Sequence, residues 1–297
     1  MRAATLSIDV RAGEVDGNLD AALAGLRAAA DERAAVAILP EMWPTSFTSE
    51  ADDGELRASQ EAVDAIAAEG GRLGITVIGS AYGPRGGARE LPSNRAHVLA
   101  EGRLVGFHDK VHLFTPTAEN LAFRAGSAPP PVVEVAADEE RVRLAPMVCY
   151  DLRFPDVARI AFREGAELLT VSAQWPRVRG PHWSALLAGR AAELCGFVIG
   201  CNRAGRDVVG RRRMELQFDR GMSGAFAPDG RRIDPALDAE LDPGGEGRAP
   251  TALALVELDL QEVRELRRAV PVHADEQVGA VAAWWEAQRT DRNGRRG

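Results

Sequence analysis

Cysteine is scarce in this chain of 297 residues: there are three, widely separated. An odd number at such spacing makes neither a secreted disulfide framework nor a zinc site of the CxxC type. Positive charge is short as well, with 36 Lys and Arg against 44 Asp and Glu and a formal net charge of −8. Wholesale nucleic-acid binding needs a basic face to neutralise phosphates, so that class is set aside. No run approaches the ~18 apolar residues of a membrane span. The opening MRAATLSIDV lacks the apolar core of a signal sequence, and no short repeat is visible. What is present is 45% hydrophobic and 27% charged residues, ordinary for a globular protein. These absences predict a soluble, cytoplasmic α/β enzyme with no membrane or nucleic-acid partner.

The apolar pattern alternates strands with helices. Residues 3–10 read as a strand. Leu19, Leu23, Leu26 and Ala30 mark one face of a helix over 18–30, with Asp16 or Asn18 as its cap. A short strand at 36–39 ends at Pro40. Residues 55–69 read as a helix stopped by Gly70-Gly71, followed by a strand at 75–80. Segments 95–100 and 104–107 form a hairpin. Further strands are expected at 132–136, 142–148, 168–172, 197–201, 223–227 and 253–258, and helices from Pro155, at 182–194 and at 260–268. Stretches 84–93 and 234–249 read as irregular. Neither is long enough to link two domains, so one domain is expected over 1–287, with a flexible polar tail at 288–297.

Three segments carry a reactive side chain just past an apolar strand: VAILPEMW with Glu41, GFHDKVHLF with Lys110, and LAPMVCYDLRFPD with Cys149. Ligands of α/β sheets bind at the carboxyl ends of strands, so the three can converge. A free cysteine is most simply a small buried hydrophobe, and that reading stands for Cys195 and Cys201. Cys149 differs because its strand runs directly into a helix near Pro155. Such a turn exposes the sulfur and aims backbone N–H groups at the same spot, where a thiolate is a competent nucleophile. Glu41, beside Trp43 and Phe47, is either a surface carboxylate or a base whose pKa an apolar neighbourhood raises. Lys110 is either a surface cation or the donor to a developing oxyanion. In the second case Glu119 serves as its counter-charge.

Taken together, these residues resemble the Glu–Lys–Cys signature of the carbon–nitrogen hydrolase (nitrilase) superfamily. The family's glutamate segment is matched by LPEMW, its lysine segment by KVHLF and its cysteine segment by CYDLRFPD. Its second glutamate, which contacts the lysine, falls on Glu119 in ENLAFRAG. AQWPRVRGPHWSALLAGRAAEL resembles the loop and long helix that border the pocket, and GMSG with Ser223 resembles a late strand. The resemblance runs from the first strand to about Pro271. It implies a four-layer α-β-β-α sandwich with sheets paired across a dimer, hence a homodimer or larger homo-oligomer. It also implies no metal and no organic cofactor.

CYDLRFPD, with WP and HW downstream, is most similar to the omega-amidase and Nit-type amidase branch. That branch hydrolyses the terminal amide of short dicarboxylic monoamides. The resemblance thus implies Glu41 as base, Cys149 as nucleophile, Lys110 and the Tyr150 backbone N–H as oxyanion donors, and Glu119 as the partner of Lys110. A substrate carboxylate calls for arginine, which binds it bidentately; Arg153, Arg177 and Arg179 are the candidates. Gln174, Trp175 and His182 complete the expected substrate contacts. Three departures bear on the substrate: Gln174 and Leu194 stand where the branch carries Asn, and 205–221 is longer and more basic than usual. The alternatives are an N-carbamoyl amino acid amidohydrolase on the same triad, or a non-catalytic member serving as an interaction module. The Arg211-Arg212-Arg213 run reads as a solvated loop. The apolar segment 278–285, ending in Trp284-Trp285, packs either on a partner or on its own core.

Overall fold

The computed structural model describes residues 1–48, 51–87, 90–138, 140–209, 214–241 and 248–294. In chain order its strands begin with β1 (Arg2–Ser7), β2 (Val36–Ile38), β3 (Thr76–Tyr82), β4 (Asn94–Ala100) and β5 (Arg103–Asp109). They continue with β6 (Val133–Ala137), β7 (Glu140–Val148), β8 (Leu168–Ala173), β9 (Phe197–Asn202) and β10 (Gly205–Val209). The last are β11 (Met214–Phe218), β12 (Gly224–Phe226), β13 (Arg232–Ile233), β14 (Leu237–Leu241) and β15 (Thr251–Glu257). The helices are α1 (Val15–Asp31), α2 (Asp53–Leu73), α3 (Glu119–Ala122), α4 (Pro155–Arg163), α5 (Gly180–Leu194), α6 (Leu260–Ala269), α7 (Val272–Asp275) and α8 (Val278–Gly294).

One sheet runs β14-β15-β1-β2-β3-β4-β5 and the other β13-β12-β9-β8-β7-β6. Each has a parallel centre, β1-β2-β3 in the first and β7-β8-β9 in the second. Parallel neighbours need crossovers, and the four helices α1, α2, α4 and α5 supply them. The apolar residues then sort into layers. Leu26, Val63 and Ile66 of α1 and α2 meet Leu6, Leu39 and Val77 on the outside of the first sheet. Val157, Phe162, Trp183 and Leu187 of α4 and α5 cover the outside of the second. Between the sheets, Val36, Ile38, Ile78 and Val98 face Val142, Leu144, Phe197 and Ile199. The result is the expected α-β-β-α sandwich. Its sheet-to-sheet layer closes inside one chain and needs no second copy.

Several local expectations shift. Gly70 and Gly71 lie inside α2, which ends instead at Gly74 in the left-handed region, φ 71°. A Cβ on Gly71 would come within 2.5 Å of the Gly102 backbone, so this glycine allows the β4–β5 turn to approach the helix. Neither Asp16 nor Asn18 caps α1; Glu14 occupies that position without a side-chain bond. Asn18 is buried and spends its amide on the backbones of Arg11 and Pro44. The stripe α1 buries is small-residue, Ala21, Ala22, Gly25 and Ala29 with Leu26, and Leu19 and Leu23 sit at its margin. The longer, basic stretch 205–221, for which no strand is expected, holds the β10–β11 hairpin, and the stretch 234–249 read as irregular contains β14, which pairs with β15. Residues 288–294 continue α8, whose Trp284 and Trp285 are exposed rather than packed on the chain's own core. The Arg211–Arg213 run and the last three residues lie outside the described residues. No described helix is long and apolar enough to cross a membrane.

Candidate active site

The catalytic candidates gather at strand ends, as their sequence positions predict. Glu41 opens the turn that follows β2 and Pro40. That turn is pinned where the Met42 N–H donates to Ser80 Oγ, 2.9 Å, and Met42 takes a left-handed φ of 48°. Lys110 follows β5 directly. Cys149 follows β7 and starts a 3-10 helix over Cys149–Arg153, with φ 43°. A side chain in the left-handed region costs of order 1–3 kcal/mol and persists only where its surroundings over-determine it. Here Asp151 does so. Its fully buried carboxylate accepts from the His112 backbone N–H at 2.8 Å, the His112 ring at 2.9 Å and His108 Nε2 at 3.1 Å. Burial pushes the Asp151 carboxyl up, but the bonds from His108 and His112 more than offset it and bring it to about 2. Asp151 therefore ties the nucleophile turn to the two residues that flank Lys110 at a spacing of two.

Within the site Lys110 Nζ donates to Glu41 Oε1 at 2.8 Å and to both Glu119 oxygens at 2.8 Å. All three side chains are at most 2% exposed. Two carboxylates around one ammonium leave a net negative charge in a dry place. Burial and the neighbouring Glu119 raise the Glu41 pKa, while Lys110 opposes the rise. Burial alone would lower Lys110; Glu119 and Glu41 reverse that and hold it charged. Burial and the neighbouring Glu41 push the Cys149 thiol well above its usual value, with Lys110 pulling the other way. The resting arrangement sets a neutral thiol beside Glu41, a carboxyl group placed to take its proton. Tyr150 falls in the first turn of the 3-10 helix, where backbone N–H groups have no partner within the turn.

Other polar residues hold this cluster, and sequence patterning gives no sign of them. Asn94, at the start of β4, donates to Glu41 at 2.9 Å and to Glu119 at 3.2 Å, and accepts from Ser80 at 2.8 Å. The Phe114 N–H donates to Glu119 at 2.6 Å. Gln174 donates twice to Glu41, from its backbone to the carboxylate at 3.0 Å and from its amide to the carbonyl at 2.9 Å. Its remaining oxygen accepts from Arg203, fully buried, at 3.0 Å. The shorter side chain of Asn cannot span both contacts, which is a physical reason for glutamine here. Asn202 orders the next residue, accepting from the Trp175 N–H at 2.7 Å.

A cavity of about 720 Å³ opens over Cys149, Glu41 and Lys110. Of the expected substrate contacts it brings together Arg153, Gln174, Trp175 and Arg179 with the Tyr150 side chain. Arg153 lies over the Trp175 ring at 4.9 Å and Arg179 over Phe114 at 5.3 Å. Arg177 is placed elsewhere: it lines a separate cleft and faces Asp219 at 3.8 Å. His182 does not line the cavity, but its Nδ1 accepts from Arg153 at 3.2 Å. Cys195 ends α5 and Cys201 sits within β9, both buried and away from the cavity. Among the described residues no group of His, Cys, Asp and Glu is placed to hold a metal ion.

A two-sheet sandwich with a buried Glu, Lys and Cys under one cavity defines a class. The chain belongs to the carbon–nitrogen hydrolase family, whose model matches residues 2–268. Within it the chain is an amidase-type hydrolase by its relatives. It is 35% identical to the omega-amidase YafV of Escherichia coli K12 over 216 residues, covering 69% of this chain and 77% of that one. It is 29% identical to the 2-oxoglutaramate amidase of Bacillus subtilis over 248 residues, 82% and 85% of the two chains. The NitN amidase of Nesterenkonia sp. AN1 shares the fold, with a TM-score of 0.76 at 24% identity over 96% of this chain and 99% of that one. A glutamate-to-glutamine variant of that amidase, 25% identical with a TM-score of 0.72 over 91% of this chain and 99% of its own, carries acrylamide added at its active-site cysteine.

Proposed function

We propose that this chain is an omega-amidase-like enzyme, hydrolysing the terminal amide of a small carboxylate-bearing molecule through a thioester on Cys149. The observation that carries the reading is the single buried cluster in which Glu41 is bonded to Lys110 and lines one cavity with Lys110 and Cys149. Glu41 takes the thiol proton as Sγ bonds to the amide carbon. The carbonyl oxygen becomes an oxyanion facing Lys110 and the Tyr150 N–H, the most valuable place for donors in acyl transfer. Glu41 returns the proton to the amide nitrogen, the C–N bond breaks and ammonia leaves. Water then attacks the thioester and gives a proton to Glu41. The C–S bond breaks, the proton returns to sulfur and the carboxylic acid departs.

Arg153 and Arg179 form no ion pair among the described residues, and both line the cavity. Each guanidinium rests on an aromatic ring, which restrains it, and N–H groups beyond the one Arg153 gives to His182 are left for a substrate carboxylate. The names of the E. coli and B. subtilis relatives support the same substrate class. We assign this activity to one domain, in a cytoplasmic homo-oligomer.

The test is ammonia release across the monoamides of succinate and glutarate and their 2-oxo forms, with nitriles and carbamoyl amino acids alongside. The monoamides are expected to react, and Cys149→Ala to fold and release no ammonia. Carbon dioxide with the ammonia from carbamoyl acids alone would mark the ureido-acid alternative. Turnover by Cys149→Ala would remove the triad.

A further inference from the structure

The cavity carries more than the catalytic cluster and its two arginines require. Its volume falls within the ~300–1,000 Å³ range of pockets that enclose drug-sized ligands, and much of its wall is apolar. Leu121 of α3 lines it with Phe47 and Phe123, and Leu216 and Phe218, on one face of the β10–β11 hairpin, line it as well. Of these side chains Leu121 stays open to solvent, at 56%, and Leu216 is only partly buried. Exposed apolar surface inside a concave site is surface that a ligand can cover.

The hairpin wall is anchored to the catalytic floor. Arg203 donates to Asp207 of β10 at 2.8 Å and to Gln174 at 3.0 Å, and its guanidinium lies 4.6 Å from the centre of the Phe218 ring. Gln174 in turn holds Glu41. One fully buried cation thus sets the distance between the general base and the apolar wall, so that wall is preformed. A short dicarboxylic monoamide, with its amide on Cys149 and its carboxylate on Arg153 or Arg179, has no apolar branch to offer Leu121 and Leu216.

Resting on the amidase reading above, we propose that these two walls form an apolar subsite. The preferred substrates are then carboxylate-bearing monoamides whose chain carries an apolar branch of about isobutyl or benzyl size. The reaction is unchanged: water adds across the C–N bond, giving the branched dicarboxylic acid and ammonia. Selectivity arises from burial, since an added apolar group that fits a pocket gains roughly tenfold or more in kcat/KM.

The experiment compares kcat/KM for succinamate and glutaramate with their 2-isobutyl and 2-benzyl derivatives, by ammonia release from the full chain. The branched amides are expected to be favoured about tenfold or more, mainly through KM. Leu121→Asp and Leu216→Asp, measured separately, are expected to bring that ratio down toward one. The comparison in the unmodified protein decides the matter even if a variant folds poorly. Hydrolysis of the unbranched amides with no gain from branching overturns the subsite and leaves the amidase reading intact. Hydrolysis of neither overturns both. A branched preference that both Asp variants retain also overturns the assignment to this wall.

Discussion

Glu119→Gln removes one negative charge from the buried group of two carboxylates and one ammonium while keeping the side chain's shape. Glu41 and Glu119 each lie 2.8 Å from Lys110 Nζ. At roughly 5 Å and an effective dielectric near 20, two like charges repel by about 3 kcal/mol, or about 2 pKa units. The Asn94 amide, bonded to both carboxylates, takes up part of that repulsion. The variant is therefore expected to lower the Glu41 pKa by about 1–2 units. In the proposed mechanism Glu41 works as a base, so activity is expected to be lost as pH falls through its pKa. The acid limb of kcat/KM should then move to lower pH by the same amount. Titration of the substrate carboxylate is common to both proteins and cancels in the comparison. Lys110 also loses charged partners that orient it, so the plateau should fall about tenfold to hundredfold. A pH–rate profile from ammonia release reads both effects. An acid limb that stays put or moves upward would refute the reasoning.

Asp151→Asn should lower both stability and kcat, because an amide cannot accept all three bonds that join the nucleophile turn to His108 and His112. A loss of about 3 kcal/mol in urea unfolding is expected for breaking a buried charged pair, and wild-type stability in that variant would contradict it. His97, buried in β4, has a pKa lowered to about 4 by burial and by Arg95. Between its ordinary 6.5 and that value the unfolded chain binds a proton that the folded chain refuses. Stability present above that window is lost as pH falls through it, by up to about 3 kcal/mol. Urea midpoints from pH 7 to pH 4 test this, and His97→Phe should flatten the decline.

The parts of the molecule legible in sequence are those written in local signals. Strand cores such as VAI and LLTVSA are apolar on both faces because helices cover one side and the second sheet the other. Glu41, Lys110 and Cys149 stand immediately after such strands, so their meeting follows from topology. Asn94, Asn202 and Arg203 carry no local signal. Each is polar, ordinarily a surface residue, and its burial depends on partners far away in sequence, as when Arg203 reaches Gln174 and Val10. The β10–β11 hairpin escaped notice because its strands are mixed in charge, their alternation broken by Arg206, Asp207 and Glu215. β14 is a short run that pairs, among the described residues, with β15 alone, and its pattern becomes readable only with that partner in place. Arg177 and Arg179 lie two positions apart in one 3-10 turn, and composition alone cannot say which faces the cavity. The three-dimensional arrangement selects Arg179 for the cavity and turns Arg177 to the neighbouring cleft.

The account rests on Cys149 carrying the acyl group. Acid-quenching the enzyme during turnover of a monoamide, followed by peptide mass spectrometry, measures this directly. The expected result is the acyl mass on the peptide containing Cys149, absent from Cys149→Ala and from the peptides of Cys195 and Cys201. An acyl group on either of those cysteines, or full turnover by Cys149→Ala, would contradict it.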